Sequence, residues 1–180
     1  MSLLKAKQHL EKYNLESRVI EFDSSTATVE LAALQVGVTE GEIAKSLSFL
    51  VGEQPILVIV AGDRKIDNHK FKEEFKVKAK MIPFELVETL IGHAAGGVCP
   101  FGINDNVLVY LDKSLKQYEY IYPAFFENKL HVVTVRDGGV VINTKDDLLK
   151  YKGVYVEKDN LSSFIVKELS NYNKLLEEGN

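Results

Sequence analysis

The chain has 180 residues, 46% of them apolar, with 22 Lys and Arg against 26 Asp and Glu and a formal net charge of −4. That length makes a single domain, 1–180, the simplest expectation, and the acidic balance argues against indiscriminate nucleic-acid binding, which needs many neutralised phosphates. It leaves room for a protein that grips only one end of an RNA. Cys99 is the only cysteine, so no internal disulfide forms; the N-terminus lacks a signal-like apolar core and no run could span a bilayer, so a cytoplasmic location without a membrane partner is expected.

Ser2 can cap a first helix in which Leu3, Leu4, Ala6, Leu10 and Tyr13 recur at helical spacing, ending near Asn14. A short strand is expected over 18–22, and a second helix over 28–36 with Gly37 as its stop. Thr39-Glu40-Gly41-Glu42 has the form of a capping box and predicts a short helix carrying Ile43 and Ala44 up to Lys45. The apolar runs 47–51 and 55–61 predict a hairpin in the heart of a sheet. Asp67 can cap a helix through Phe75, Met81-Ile82 makes a short strand, and Pro83 suits the first position of a helix through Leu90. Further strands are expected at 106–111, 118–122, 130–135 and 140–142. Helices are expected at 145–151 and from Asn160 to about Tyr172. Strands interspersed with short helices, without regular alternation, predict an α/β chain of the α+β kind: a mixed sheet that curls, with helices packed outside.

Arg64, Lys65, Lys70, Lys72, Lys76, Lys78 and Lys80 outnumber Asp63, Asp67, Glu73 and Glu74 in one segment. Such a segment is either a solvated helix face with i,i+4 pairs such as Glu74 and Lys78, or a phosphate-facing surface.

The stretch Gly96-Gly97-Val98-Cys99-Pro100-Phe101-Gly102 holds three glycines and a proline in seven residues, a rigid backbone with little side chain in the way. It is a turn between helix and strand or a wall shaped to meet a ligand; it is neither a Walker loop nor a dinucleotide fingerprint. Lys45 either covers the entrance to a strand with its stem or directs a cation at a phosphate or a developing oxyanion. Asp63 either caps the turn into Arg64-Lys65 or belongs to a site. Cys99 with the nearby His93 allows a thiol-nucleophile reading, against the more common buried thiol. His9, His69, His93 and His131 have no metal-ligand spacing.

In order along the chain, Ala32-Ala33-Leu34-Gln35-Val36-Gly37, Ile43-Ala44-Lys45-Ser46-Leu47, Ala61-Gly62-Asp63-Arg64-Lys65-Ile66-Asp67 and Gly92-His93-Ala94-Ala95-Gly96-Gly97-Val98-Cys99-Pro100-Phe101-Gly102 resemble the YbaK/EbsC family. These are free-standing aminoacyl-tRNA deacylases related to the editing domain inserted in bacterial prolyl-tRNA synthetases. The resemblance implies a small mixed barrel-like sheet surrounded by helices, no cofactor, and hydrolysis of the ester joining a mischarged amino acid to the terminal adenosine of tRNA. It makes Lys45 the residue on which activity depends, holding the terminal phosphate or ribose. Gly96 and Pro100 match the ends of the family's G-x-x-x-P loop. Ser46, Asp63, His93, Gly97, Val98 and Gly102 join them as substrate-binding positions. The implied partners are the aminoacyl-tRNA acceptor end and a synthetase; the alternative is a non-catalytic module that binds a tRNA end or small ligand in the same pocket.

Overall fold

Pro55 to Ala61 is a run of seven buried residues, and a strand buried on both faces must lie inside a covered sheet. The computed structural model describes residues 2–12, 16–23, 28–118, 120–133, 135–136, 156–158 and 163–165. Its strands are β1 (Val19–Phe22), β2 (Ile43–Val51), β3 (Gln54–Ala61), β4 (Leu108–Asp112), β5 (Tyr120–Glu127), β6 (Lys129–Val133), β7 (Val135–Arg136), β8 (Val156–Lys158) and β9 (Ser163–Ile165). Its α-helices are α1 (Ser2–Glu11), α2 (Val29–Val36), α3 (Asn68–Phe75) and α4 (Phe84–Ile91). The sheet order is β1-β6-β5-β2-β3-β4-β9-β8, with β7 against β5. β2 and β3 form the expected hairpin, while β2 with β5 and β3 with β4 are parallel pairs. This is the mixed α+β class read from the sequence; among the described residues the pairings run as an open path, and barrel closure is not among them.

Local chemistry sets the helix ends. Thr28 Oγ1 accepts from Leu31 N at 3.2 Å and Gly37, at φ +80, closes α2. Asp67 Oδ1 accepts from His69 N and Lys70 N at 2.9 and 3.0 Å at the start of α3. The Thr39 capping box also forms, with Glu42 Oε2 accepting from Thr39 N at 2.8 Å, but it caps only one 3₁₀ turn, Glu40–Glu42. Ile43 to Lys45 are strand instead of the expected helix. Ile43 and Ala44 pair with Tyr122 and Pro123 on one side, and Ala44 and Lys45 with Ala61 and Val60 on the other, outweighing one capped turn. β5 runs past the expected 118–122 because Pro123 lies just before the β6 pairing begins at Ala124, so its missing N–H breaks no bond there. Residues 163–165, expected in a helix, pair with β4 and β8. The elements expected at 140–142 and 145–151 lie outside the described residues.

On one face of the central hairpin, Leu57 and Ile59 pack with Ala6 and Leu10 of α1, Val87 and Ile91 of α4, and Phe101. On the other, Phe49, Ile56, Val58 and Val60 pack with Phe71 of α3. Full burial of each such Leu, Ile, Val or Phe contributes about 1.5–3 kcal/mol. Ala32 and Ala33 of α2 cover Ile43, Leu130 and Val132. The helices therefore press on the sheet from both sides around the middle of β2.

Candidate active site

One edge of β2 is paired with β3 from Ala44 to Val51, but the other changes partner midway. Ile43 and Ala44 pair with β5; further along, Ile82 N donates to Ser48 O at 3.1 Å and Leu50 N to Lys80 O at 3.0 Å, with Phe49 opposite Met81. Lys45, Ser46 and Leu47 lie between these two partners, at a gap in the sheet. β5 continues along β6, and its Phe126 N donates to Gly96 O at 3.0 Å. The glycine loop thus wedges in where β2 and β5 part. A cavity of about 420 Å³ results, lined by Lys45 and Ser46 from β2, Gly96 and Val98 from the loop, and a largely apolar wall that includes Ile43, Ile82, Phe125 and Leu130.

Lys45 Nζ donates to Gly62 O at 3.2 Å, at the end of β3. Partial burial lowers the Lys45 pKa from its ordinary value; the Asp63 carboxylate opposes this and Lys65 adds to it. Asp63 does not line the cavity. Its side chain is 46% exposed, with Oδ1 3.8 Å from Arg64 Nε, and its bearing on the site is as a counter-charge to Lys45. Ser46 Oγ is buried, has no hydrogen-bond partner among the described residues, and belongs to a residue that lines the cavity. A buried hydroxyl without a partner is costly, so this one is poised to bond a ligand. Strand alternation also turns the Ser46 main-chain amide and carbonyl to the same side as those of Ser48 and Leu50, into the gap.

The rest of the loop faces inward. His93 is 1% exposed and its Nε2 lies 2.7 Å from Phe101 O, a contact that requires the proton on Nε2. Burial lowers its pKa, so the ring is neutral. Cys99 is fully buried, its thiol is pushed up to about 12 by desolvation, and Sγ also donates to Phe101 O at 3.5 Å. With the Nε2 proton committed to that carbonyl, His93 cannot deprotonate the thiol, and the thiol-nucleophile reading is set aside. Nor does His93 line the cavity: it braces the loop from within. Gly97, Pro100 and Gly102 likewise lie off this cavity. A methyl at Gly97 would lie 2.4 Å from Ser2 Oγ, and one at Gly102 2.5 Å from Lys5 O, so both glycines admit α1 to close packing. Of the positions read from the sequence, the fold brings Lys45, Ser46, Gly96 and Val98 into one cavity, with Asp63 beside it.

The opposite wall, Thr28, Val29, Met81, Phe84, Ala124, Phe125 and Leu130, has no counterpart among the positions read from the sequence. These come from four separate segments with no shared motif. The one signal available was Phe84, three and seven residues before Val87 and Ile91 on the apolar stripe of α4, yet 79% exposed at the cavity.

Residues 23–139, which include every residue lining this cavity, match the aminoacyl-tRNA editing domain. The chain belongs to that family. The chain is 49% identical over 126 residues to the uncharacterized protein YwhH of Bacillus subtilis (strain 168), covering 69% of this chain and 80% of that one. It is 26% identical to EbsC of Enterococcus faecalis, described as a candidate Cys-tRNA(Pro)/Cys-tRNA(Cys) deacylase, covering 64% and 73% of the two chains. It is 28% identical to the proline–tRNA ligase of Aquifex aeolicus over 62% of this chain but only 20% of that enzyme. Among solved structures, a candidate trans-editing enzyme for prolyl tRNA synthetase superposes with TM-score 0.70 and 28% identity, covering 83% of this chain and 90% of that one. Among the described residues of the editing domain, no helix is long and apolar enough to cross a membrane.

Proposed function

We propose that this editing domain is an aminoacyl-tRNA deacylase acting in trans, on tRNA released with the wrong amino acid. The observation that carries the reading is the gap in the sheet beside β2, which gives Lys45, Ser46 and Gly96 one cavity with a largely apolar wall. In that cavity the Lys45 ammonium, tethered to Gly62 O, holds the terminal phosphate or ribose. The Ser46 hydroxyl and amide face the ester, and the apolar wall takes the amino-acid side chain. Water adds to the ester carbonyl, the bond from that carbon to the ribose oxygen breaks, and free amino acid leaves a tRNA with its terminal hydroxyl restored. The ribose hydroxyl beside the ester helps activate the water, so the cavity needs no carboxylate or imidazole base of its own; its role is positioning and prepared donors. Gly97 N donates to Ala94 O and Gly96 O accepts from Phe126 N, so the glycine loop contributes shape more than free donors.

The proline–tRNA ligase relatives make mischarged prolyl tRNA the first substrate to test, and the prolyl synthetase the first partner. The assay is amino-acid release from a panel of mischarged tRNAs by the native chain and by Lys45→Ala. Release by the native chain and its loss in the variant are expected. Full activity in Lys45→Ala, or no hydrolysis across the panel, rejects the reading; tight binding of a tRNA end without turnover would instead make the domain a binding module.

A further inference from the structure

A large apolar ring held in solvent at the mouth of a cavity calls for an occupant. Phe84 is 79% exposed and Met81 56%, and both line the cavity that opens between β2 and β5. The segment that carries Met81 is fixed: its main chain is tied to Ser48 and Leu50, and Pro83, at φ −54, joins it to α4. Phe84 continues the stripe that buries Val87 and Ile91, but it stands in the first turn, beyond the core those residues reach. Leading to it are Lys76, Lys78 and Lys80, all exposed, with no acidic residue among 76–80 in a chain whose net charge is −4. None of the three takes part in an ion pair among the described residues.

We propose that Phe84, flanked by Met81, is the platform on which the terminal adenine of a tRNA acceptor end stacks, with Lys78 and Lys80 meeting the phosphates behind it. This rests on the deacylase reading for the identity of the RNA. The interior of the cavity, lined by Ile43, Phe125 and Leu130, suits the aminoacyl group with its ribose. The base is left at the rim, where Phe84 stands. Stacking on an aromatic face with cations along the backbone is how single-stranded nucleic acid is held without reading its sequence. The main chain that leads to Phe84 is already ordered, so little backbone freedom is lost on binding. The basic segment thereby gains a role more specific than a solvated helix face.

The test uses fluorescence anisotropy of an uncharged RNA hairpin carrying the tRNA acceptor end, and of the same hairpin with an abasic terminal ribose. Phe84→Ala should weaken binding of the intact hairpin about fivefold or more and leave the abasic hairpin unchanged, while Phe84→Trp keeps native affinity. Lys78→Ala and Lys80→Ala should weaken both RNAs alike and flatten the salt dependence. Because the ring is exposed, Phe84→Ala should melt with the native chain. Equal affinity of native chain and Phe84→Ala for the intact hairpin, equal loss on both RNAs, or no binding of either RNA by the native chain overturns the proposal. An uncharged hairpin has no ester, so the two readings fail separately. Phe84-dependent binding without hydrolysis of any mischarged tRNA would sink the deacylase reading alone, and hydrolysis with no Phe84 dependence of binding would sink this one alone.

Discussion

Gly96 and Gly102 frame the same loop for different reasons, and alanine at each separates them. Both have left-handed backbone, φ +90 and +70, where a side chain costs about 1–2 kcal/mol. A methyl at Gly96 meets nothing within 4 Å. For a chain of this size each kcal/mol shifts Tm by about 2–4 °C, so Gly96→Ala should lower Tm by about 2–8 °C. A methyl at Gly102 lies 2.5 Å from Lys5 O and 2.7 Å from Lys5 C, main-chain atoms that cannot rotate away. Helix α1 must then move, although the Lys5 ammonium donates to Gly92 O and Ala6 and Leu10 are buried in the core. Overpacking of that kind adds about 1–3 kcal/mol, for a total of about 2–5 kcal/mol and a Tm loss of about 4–20 °C. Thermal unfolding followed by circular dichroism measures both, and deacylation is assayed well below either transition. Gly96→Ala should lose turnover out of proportion to its small stability change, because Gly96 lines the cavity; Gly102→Ala should lose stability first. A Gly96→Ala protein that melts no higher than Gly102→Ala, or that keeps native turnover, refutes the division.

Two further outcomes follow from buried groups. Removing the partnerless Ser46 hydroxyl should leave the ligand-free chain as stable as before or up to about 1 kcal/mol more stable, while turnover falls; a clear loss of stability in denaturant unfolding of Ser46→Ala would assign the hydroxyl a structural role. His93 has a pKa lowered by burial, with the Phe101 carbonyl and Glu127 opposing and Lys5 reinforcing. The unfolded chain therefore binds more protons between the lowered value and about 6.5, the ordinary histidine pKa, so the stability from neutral His93 is complete above about pH 6.5 and is lost as pH falls through its folded pKa. Tm measured from about pH 8 to pH 5 should fall less steeply for His93→Gln than for the native chain, and parallel curves would contradict the assignment.

Features written in neighbouring residues were legible. The Asp67 cap, the Gly37 stop and the continuous run 55–61 each stood in the structure where the sequence placed them, because each depends on contacts a few residues away. Ile43 to Lys45 were not legible, since their capping box is real and only pairing with distant β3 and β5 makes them strand. The far wall of the cavity was hidden for the same reason: Leu130 and Phe125 carry no chemical motif, and β5 and β6 bring them there.

The family-bearing residues, among them Lys45, Ser46 and the glycine loop, can be read along the chain, together with a mixed α+β class whose centre is the β2–β3 hairpin. Tertiary structure decided what those residues mean. It separated Gly96 and Val98, which face the cavity, from His93, Gly97 and Gly102, which brace the loop or admit α1, and it turned Cys99 into a buried thiol. The physical reason is that a cavity is a failure of neighbouring strands to pair, here β2 leaving β5 after Ala44 with Gly96 O taking the Phe126 N–H in its place. That event joins residues more than fifty positions apart, and no local pattern records it.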